Sequence, residues 1–111
     1  MPDKKDPIQG TLNAVETSAD NYDMPADGLF RGDIERVGGT MTVRMNIKIP
    51  GGDSYVPARD INGALLSYSL DETNEHQPVE IICRQGTLIQ FEATASTSGD
   101  VRYSGGRVGD R

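Results

Sequence analysis

His76 is the single histidine in a chain of 111 residues. It lies in the stretch Asn74-Glu75-His76-Gln77-Pro78, beside one carboxylate and far in sequence from any hydroxyl poised to attack. An imidazole does general acid–base work when it sits between a nucleophile and an orienting carboxylate. Such a set could use Ser54 or Ser67, since triads are defined by geometry and not by chain order. Neither stands in a Gly-x-Ser-x-Gly elbow, and no oxyanion loop is recognisable. The expectation is a solvated histidine and a protein that is not an enzyme, with no catalytic residues.

The remaining reactive or ligating groups are equally sparse. Cys83 is the only cysteine, which excludes an internal disulfide framework and a cysteine-rich zinc site. It ends the apolar run Val79–Cys83, where a buried, inert thiol is expected. The acidic run Asp20-Asn21-Tyr22-Asp23, with Asp27-Gly28, offers oxygen ligands but lacks the ordered spacing and closing Glu of an EF-hand. No metal and no cofactor are expected. Arg31-Gly32-Asp33 spells an adhesion tripeptide, but inside a predicted strand and not at a loop tip.

Arg44 and Lys48 share the polar face of one strand, and Arg102, Tyr103 and Arg107 are candidates to lengthen that patch. A small open barrel with such a face binds single-stranded nucleic acid when aromatic side chains supply stacking platforms. Here the aromatics number four Tyr and two Phe, some of them needed in the core, and the net charge is −6. An acidic chain is repelled by nucleic acid and anionic lipid. Nucleic acid or a nucleotide is therefore the less favoured partner, and no membrane contact is expected. No segment approaches the roughly 20 apolar residues of a membrane span. The opening residues hold no apolar run of signal-peptide type, so the cytoplasm is the expected location.

The elements that must carry these residues read as all-β. Residues 1–28 hold four of the six net negative charges and prolines at 2, 7 and 25, and they read as a polar, extended or disordered arm. Ile8, Leu12 and Val15, behind Thr11 as a cap, allow one short helix within it. Residues 29–103 read as the β domain. Leu29–Val37 is a strand closed by a Gly38-Gly39 hairpin turn. In Thr40–Ile49, Met41, Val43, Met45, Ile47 and Ile49 alternate with Thr42, Arg44, Asn46 and Lys48, the period of a half-buried strand. Pro50-Gly51-Gly52-Asp53 ends it. A strand is predicted over Ser54–Ile61, at an edge because of Pro57, and another over Ala64–Leu70, although Ile61, Ala64, Leu65 and Tyr68 also fit a helical stripe behind an Asp60 cap. After the loop Asp71–Pro78, Val79–Arg84 and Thr87–Ala95 are predicted to form a hairpin across Gln85-Gly86. Ser98-Gly99 turns the chain into Val101–Tyr103, and residues 104–111 read as a Gly-rich tail. The sum is a small single-domain β-barrel or β-sandwich of about six short antiparallel strands, which suits thirteen glycines and six prolines.

Arg59-Asp60-Ile61-Asn62, followed by Gly63-Ala64-Leu65-Leu66 and preceded by Pro50-Gly51-Gly52, resembles the heart of PilZ domains. The closing stretch Gly99-Asp100-Val101-Arg102 to Gly106-Arg107-Val108 is similar in rhythm. The resemblance implies a six-stranded barrel that binds cyclic di-GMP, with Arg31, Arg36 and Asp60 as ligand residues. Arginines grip phosphates bidentately. Asn62 and Leu65 stand where that motif has Ser and Gly, and Arg31 and Arg36 are one residue too far apart.

Taken together, these residues point to a non-enzymatic interaction or assembly module acting through protein–protein contacts, by docking a protein partner or by self-association. A virus- or phage-type accessory protein is one form of it. The arm is expected to gain order on docking, so that its removal leaves the core folded. A small ligand-binding barrel, PilZ-like or a single-strand binder, is the alternative, with Arg31, Arg36, Arg44, Lys48, Asp60, Arg102 and Arg107 as its binding residues.

Overall fold

The computed structural model describes residues 3–109, so the outermost parts of the expected arm and tail lie outside the described residues. Eight strands and no helix are present among the described residues: β1 (Asp3–Lys4), β2 (Ile8–Leu12), β3 (Asn21–Asp23), β4 (Gly28–Lys48), β5 (Val56–Pro57), β6 (Ser67–Leu70), β7 (His76–Cys83) and β8 (Leu88–Arg107). They form one hydrogen-bonded sheet. β4 and β8 run antiparallel from Phe30↔Arg107 to Lys48↔Leu88 and carry the rest. β7 lies along the first half of β4, and β6 and β5 along its second half. β2 lies along the last part of β8 and β3 along its start. β1 adds to β3 in parallel.

That sheet is folded over on itself. Phe91 and Tyr103 are twelve residues apart on β8, about 40 Å along a straight strand, yet their ring centroids are 5.0 Å apart. Phe30, in the first half of β4, stands 6.4 Å from Phe91. The fold line is where both long strands break register, between Arg36 and Thr40 and opposite Ser98-Gly99. Gly39 has φ +60 and Ser98 φ 51, and a Cβ at Gly39 would collide with the Ser98 carbonyl. Facing bulges add twist and bend a ladder without ending it. The result is a two-layer sandwich. One layer is β7–β4–β8–β2, from the first half of β4 and the last of β8. The other is β5/β6–β4–β8–β3–β1. No ladder joins β7 to β5 or β6 among the described residues, so the barrel does not close.

The core between the layers takes Met41, Val43 and Met45 from the alternating strand, as their spacing predicts, with Ile47 partly buried against them. Ile49 falls beyond the strand and is exposed. Ala95, expected beside Ile89, Phe91 and Ala93, is exposed, because a register shift between Thr42 and Val43 puts it on the other face. Gly38-Gly39 and Ser98-Gly99 are turn chemistry used as a corner, not as chain reversals. Gln85-Gly86 does turn the chain, but β7 and β8 are not paired; this turn carries the chain from one layer to the other. Of Ser54–Ile61 only Val56–Pro57 is strand, at an edge, and of Ala64–Leu70 only Ser67–Leu70.

The expected arm is part of the core. Ile8, Leu12, Tyr22 and Met24 are buried, and the segment 8–12 is a strand and not a helix. A spacing of four places Ile8 and Leu12 on one face of either element. Between them Gly10 leaves room for the ring of Tyr103, which a side chain there would strike. The tail is likewise ordered as strand to Arg107. Its backbone N–H donates to the Tyr22 hydroxyl at 2.9 Å.

Two outcomes follow for stability. Gly39→Ala is expected to cost about 1–3 kcal/mol, while Gly38→Ala, where a Cβ meets nothing within 4 Å, is expected to stay within about 1 kcal/mol of the parent; urea unfolding of both distinguishes them. Deleting residues 1–26 removes four buried apolar side chains, so the truncated chain should lose cooperative thermal unfolding by circular dichroism. A truncated chain that melts like the parent would restore the separate arm.

Candidate functional site

Outward side chains of the β7–β4–β8–β2 layer line up in rows set by register: Glu80–Arg31–Gly106, Pro78–Asp33–Ser104–Gln9 and His76–Glu35–Arg102–Thr11. A shallow depression of about 600 Å³ lies over the last two. His76, expected in a loop, opens β7, and its Nε2 is 2.8 Å from Asp33 Oδ1. Arg102 stands 3.7 Å from Glu35, and Arg31 2.7 Å from Glu80. These groups are all at least half exposed, and such pairs contribute about 0–1 kcal/mol each. Asp33 can orient His76, yet the imidazole has no hydroxyl nucleophile bonded to it among the described residues. Ser67 belongs to the other layer. The arginine and aspartate of the adhesion tripeptide are spent on Glu80 and His76.

The second layer carries Arg44 and Lys48 on its own outer face, so they and Arg102 point away from each other across the core. Arg44 donates to Glu92 at 2.7 Å and to Asn46 at 3.0 Å, and Asn46 donates in turn to Gln90 and Glu92. The Asn46 amide and the Arg44 guanidinium hold the Glu92 carboxyl below the usual 4.5, against the opposing effect of burial. Lys48 Nζ lies 5.8 Å from the centre of the Tyr55 ring. Arg36 sits at the corner, where its Nε donates to the Gly39 carbonyl and its guanidinium meets Glu75. Arg107 Nε donates to the Asp27 carbonyl. Asp60 accepts the backbone N–H groups of Asn62 and Ala64 in its own turn.

The seven expected binding residues are therefore not brought together. Arg31, Arg36 and Asp60, the set implied by the PilZ resemblance, occupy a sheet face, the corner and a loop. The patch expected from Arg44 and Lys48 through Arg102, Tyr103 and Arg107 is divided by the fold of the sheet. Tyr22, Phe30, Phe91 and Tyr103 are buried, and Tyr55 and Tyr68 are half-buried, so no aromatic stands free for base stacking. Burial pushes the Cys83 thiol up to about 11, leaving it protonated at neutral pH.

A second concavity carries a different character. In the gap between β7 and the loop that precedes β6, Leu29, Ile61, Ile81 and Ile82 line a groove of about 460 Å³ rimmed by Arg59, Asp60 and Glu80. Ile61 is 94% and Ile82 78% exposed. Ile82 pairs in register with Leu29, and the Val108 N–H donates to the Leu29 carbonyl, so an aliphatic ridge crosses the layer. Its signal in the sequence is the pair Ile81-Ile82: a period of two cannot bury both.

No protein-family model matches the chain, and no curated protein matches it in sequence. Among solved structures the chain is similar to the Yersinia pseudotuberculosis-derived mitogen, with TM-score 0.55 and 9% identity over 96% of this chain and 87% of that one. It is similar to the SPBc2 prophage-derived protein YomS, with TM-score 0.51 and 16% identity over 89% and 91%. The globular domain of the zebrafish complement 1qA protein also matches, with TM-score 0.51 and 9% identity over 82% and 70%. At such identities the likeness shows the fold alone. The chain is a small all-β domain of the sandwich or jelly-roll kind.

The Glu92 network sets a pH dependence with a definite sign. A carboxyl whose pKa is lowered on folding stabilises the protein above its unfolded value, and that stability is lost as pH falls through the lowered folded value. Between pH 5 and 3 the parent should therefore lose more stability than Glu92→Gln. Parallel slopes in urea unfolding would show that the network contributes nothing.

Proposed function

We propose that this chain is a non-enzymatic module that assembles through protein contacts, with the aliphatic ridge Ile61–Ile82–Leu29–Val108 as its docking surface and a second copy of the chain as the occupant. The observation that carries the reading is the exposure of Ile61 and Ile82 beside an unpaired sheet margin. Grouped aliphatic side chains ringed by charge resemble the core and rim of a protein interface. The rim holds Arg59, Asp60 and Glu80, so a twofold contact can set each sign against the other despite the net charge of −6. Fold neighbours of several kinds are compatible with a non-enzymatic β domain.

Burying an isoleucine contributes about 1.5–3 kcal/mol. Ile82→Asp should accordingly weaken self-association by at least about tenfold, with the fold intact by circular dichroism. Light scattering across a concentration series measures it. A parent chain that stays monomeric throughout, or an Ile82→Asp variant that associates like the parent, would overturn the proposal.

A further inference from the structure

One hydrogen bond and the register fix which way the backbone of β7 faces. The Arg36 N–H donates to the Glu75 carbonyl at 2.7 Å, and these two residues continue the pairing that ends at Glu35↔His76. Bonded and non-bonded pairs alternate along an antiparallel ladder. Gln77, Val79, Ile81 and Cys83 therefore turn their N–H and C=O groups to β4, while His76, Pro78, Glu80 and Ile82 turn theirs away. No strand lies on that outer edge among the described residues. Pro78 has no N–H to offer there, and its carbonyl accepts the Gln77 side-chain amide at 3.0 Å. That half of the edge is blunted. From Glu80 onward the outward backbone groups of Glu80 and Ile82 have no partner among the described residues, and such an edge is a template for another strand.

We propose that the second copy docks by adding its own β7 to this edge, antiparallel about a twofold axis that passes through Ile82 perpendicular to the sheet. Two β7–β4–β8–β2 layers then become one sheet of eight strands. The inference rests on the self-association through the ridge proposed above and gives it a register. Residues directly opposite each other share a face, so exposed residues must meet exposed ones. An axis at Glu80 sets two carboxylates opposite each other, which is destabilising. It also sets Pro78 against a carbonyl to which it cannot donate. An axis at Ile81 sets Glu80 against Ile82 of the partner subunit and still takes Pro78 into the pairing. With the axis at Ile82 the two isoleucines lie side by side, and Pro78 falls outside. Glu80 then stands opposite Arg84 of the partner subunit on both sides of the axis. Arg84 is exposed and follows β7 directly, on the face of Glu80 and Ile82 by the period of two. Since Glu80 already meets Arg31 at 2.7 Å across β4, the row alternates in sign through the contact.

Hydrogen exchange resolved by residue on the full chain separates strand pairing from a contact of ridges alone. Between dilute and associated protein, exchange of the Glu80 and Ile82 amides should slow at least about tenfold. Cysteines read the register. Bonded antiparallel pairs hold their Cα atoms about 5.5 Å apart, within disulfide reach, so Ile82→Cys in a Cys83→Ala background should cross-link to itself on oxidation. Glu80→Cys in that background should not, its two copies being about 13 Å apart along the strand, but it should cross-link to Arg84→Cys when the two are mixed. If Ile82→Asp abolishes association while the Glu80 and Ile82 amides exchange alike at all concentrations, the ridge stands as the contact and strand pairing is overturned. Glu80→Cys linking to itself with Ile82→Cys silent moves the axis and overturns the register. A monomeric parent overturns the ridge reading and this inference with it, leaving the edge to a strand of another protein.

Discussion

Strands of 21 and 20 residues cannot lie straight in a molecule whose longest dimension is 36 Å, since each would reach about 70 Å extended. The β4–β8 ladder must fold, and where it folds decides the rest of the molecule. The corner forms at Gly38-Gly39 against Ser98-Gly99, where left-handed backbone and the lack of a Cβ let the two strands cross at close range. Past the corner the two halves of the ladder face each other. Tyr22, Phe30, Phe91 and Tyr103 then stack in a continuous run of tilted contacts between the layers. Aromatic pairs of this kind add about 0.5–1.5 kcal/mol each beyond the area they bury.

Folding one ladder into two layers also determines what the surface can do. Each long strand presents its outward side chains on two faces that point apart, so charges close in sequence end on opposite sides. Register then pairs most of them with an opposite sign: Arg31 with Glu80, Asp33 with His76, Glu35 with Arg102, Arg44 with Glu92. Cross-strand neighbours of opposite charge are the common solution for an exposed sheet face. The consequence is that these exposed charges alternate in sign and form no basic stripe among the described residues.

What the fold leaves unfinished is the margin between β7 and the β5–β6 side. Sandwiches built by bending one sheet have open edges, and an open edge with aliphatic neighbours invites pairing unless something covers it. Here the loop through Ile61 approaches that margin without sealing it, which gives the ridge its exposure. The opposite margin, at β1 and β3, is polar instead: Asn21 donates to Asp3 at 3.2 Å and Lys5 to Asp23 at 2.9 Å. The two margins thus differ in chemistry, one aliphatic and the other polar.

The alternation of Met41, Val43 and Met45 with polar residues determined a strand with one buried face, because a period of two has no other physical reading. Glycine pairs and the scarcity of helical spacing determined an all-β chain. Cys83 as an inert buried thiol was also legible, from its place at the end of an apolar run. Tertiary structure decided the remainder. Whether Gly38-Gly39 reverses the chain or bends it depends on what lies opposite, and Ser98-Gly99 is sixty residues away. Ile8, Leu12, Tyr22 and Met24 were too sparse among polar neighbours to reveal a core role, which arises only when β8 offers them a surface. Ion pairs and the aliphatic ridge are products of register and of the bend. No local pattern encodes them, since each depends on which distant backbone is brought alongside.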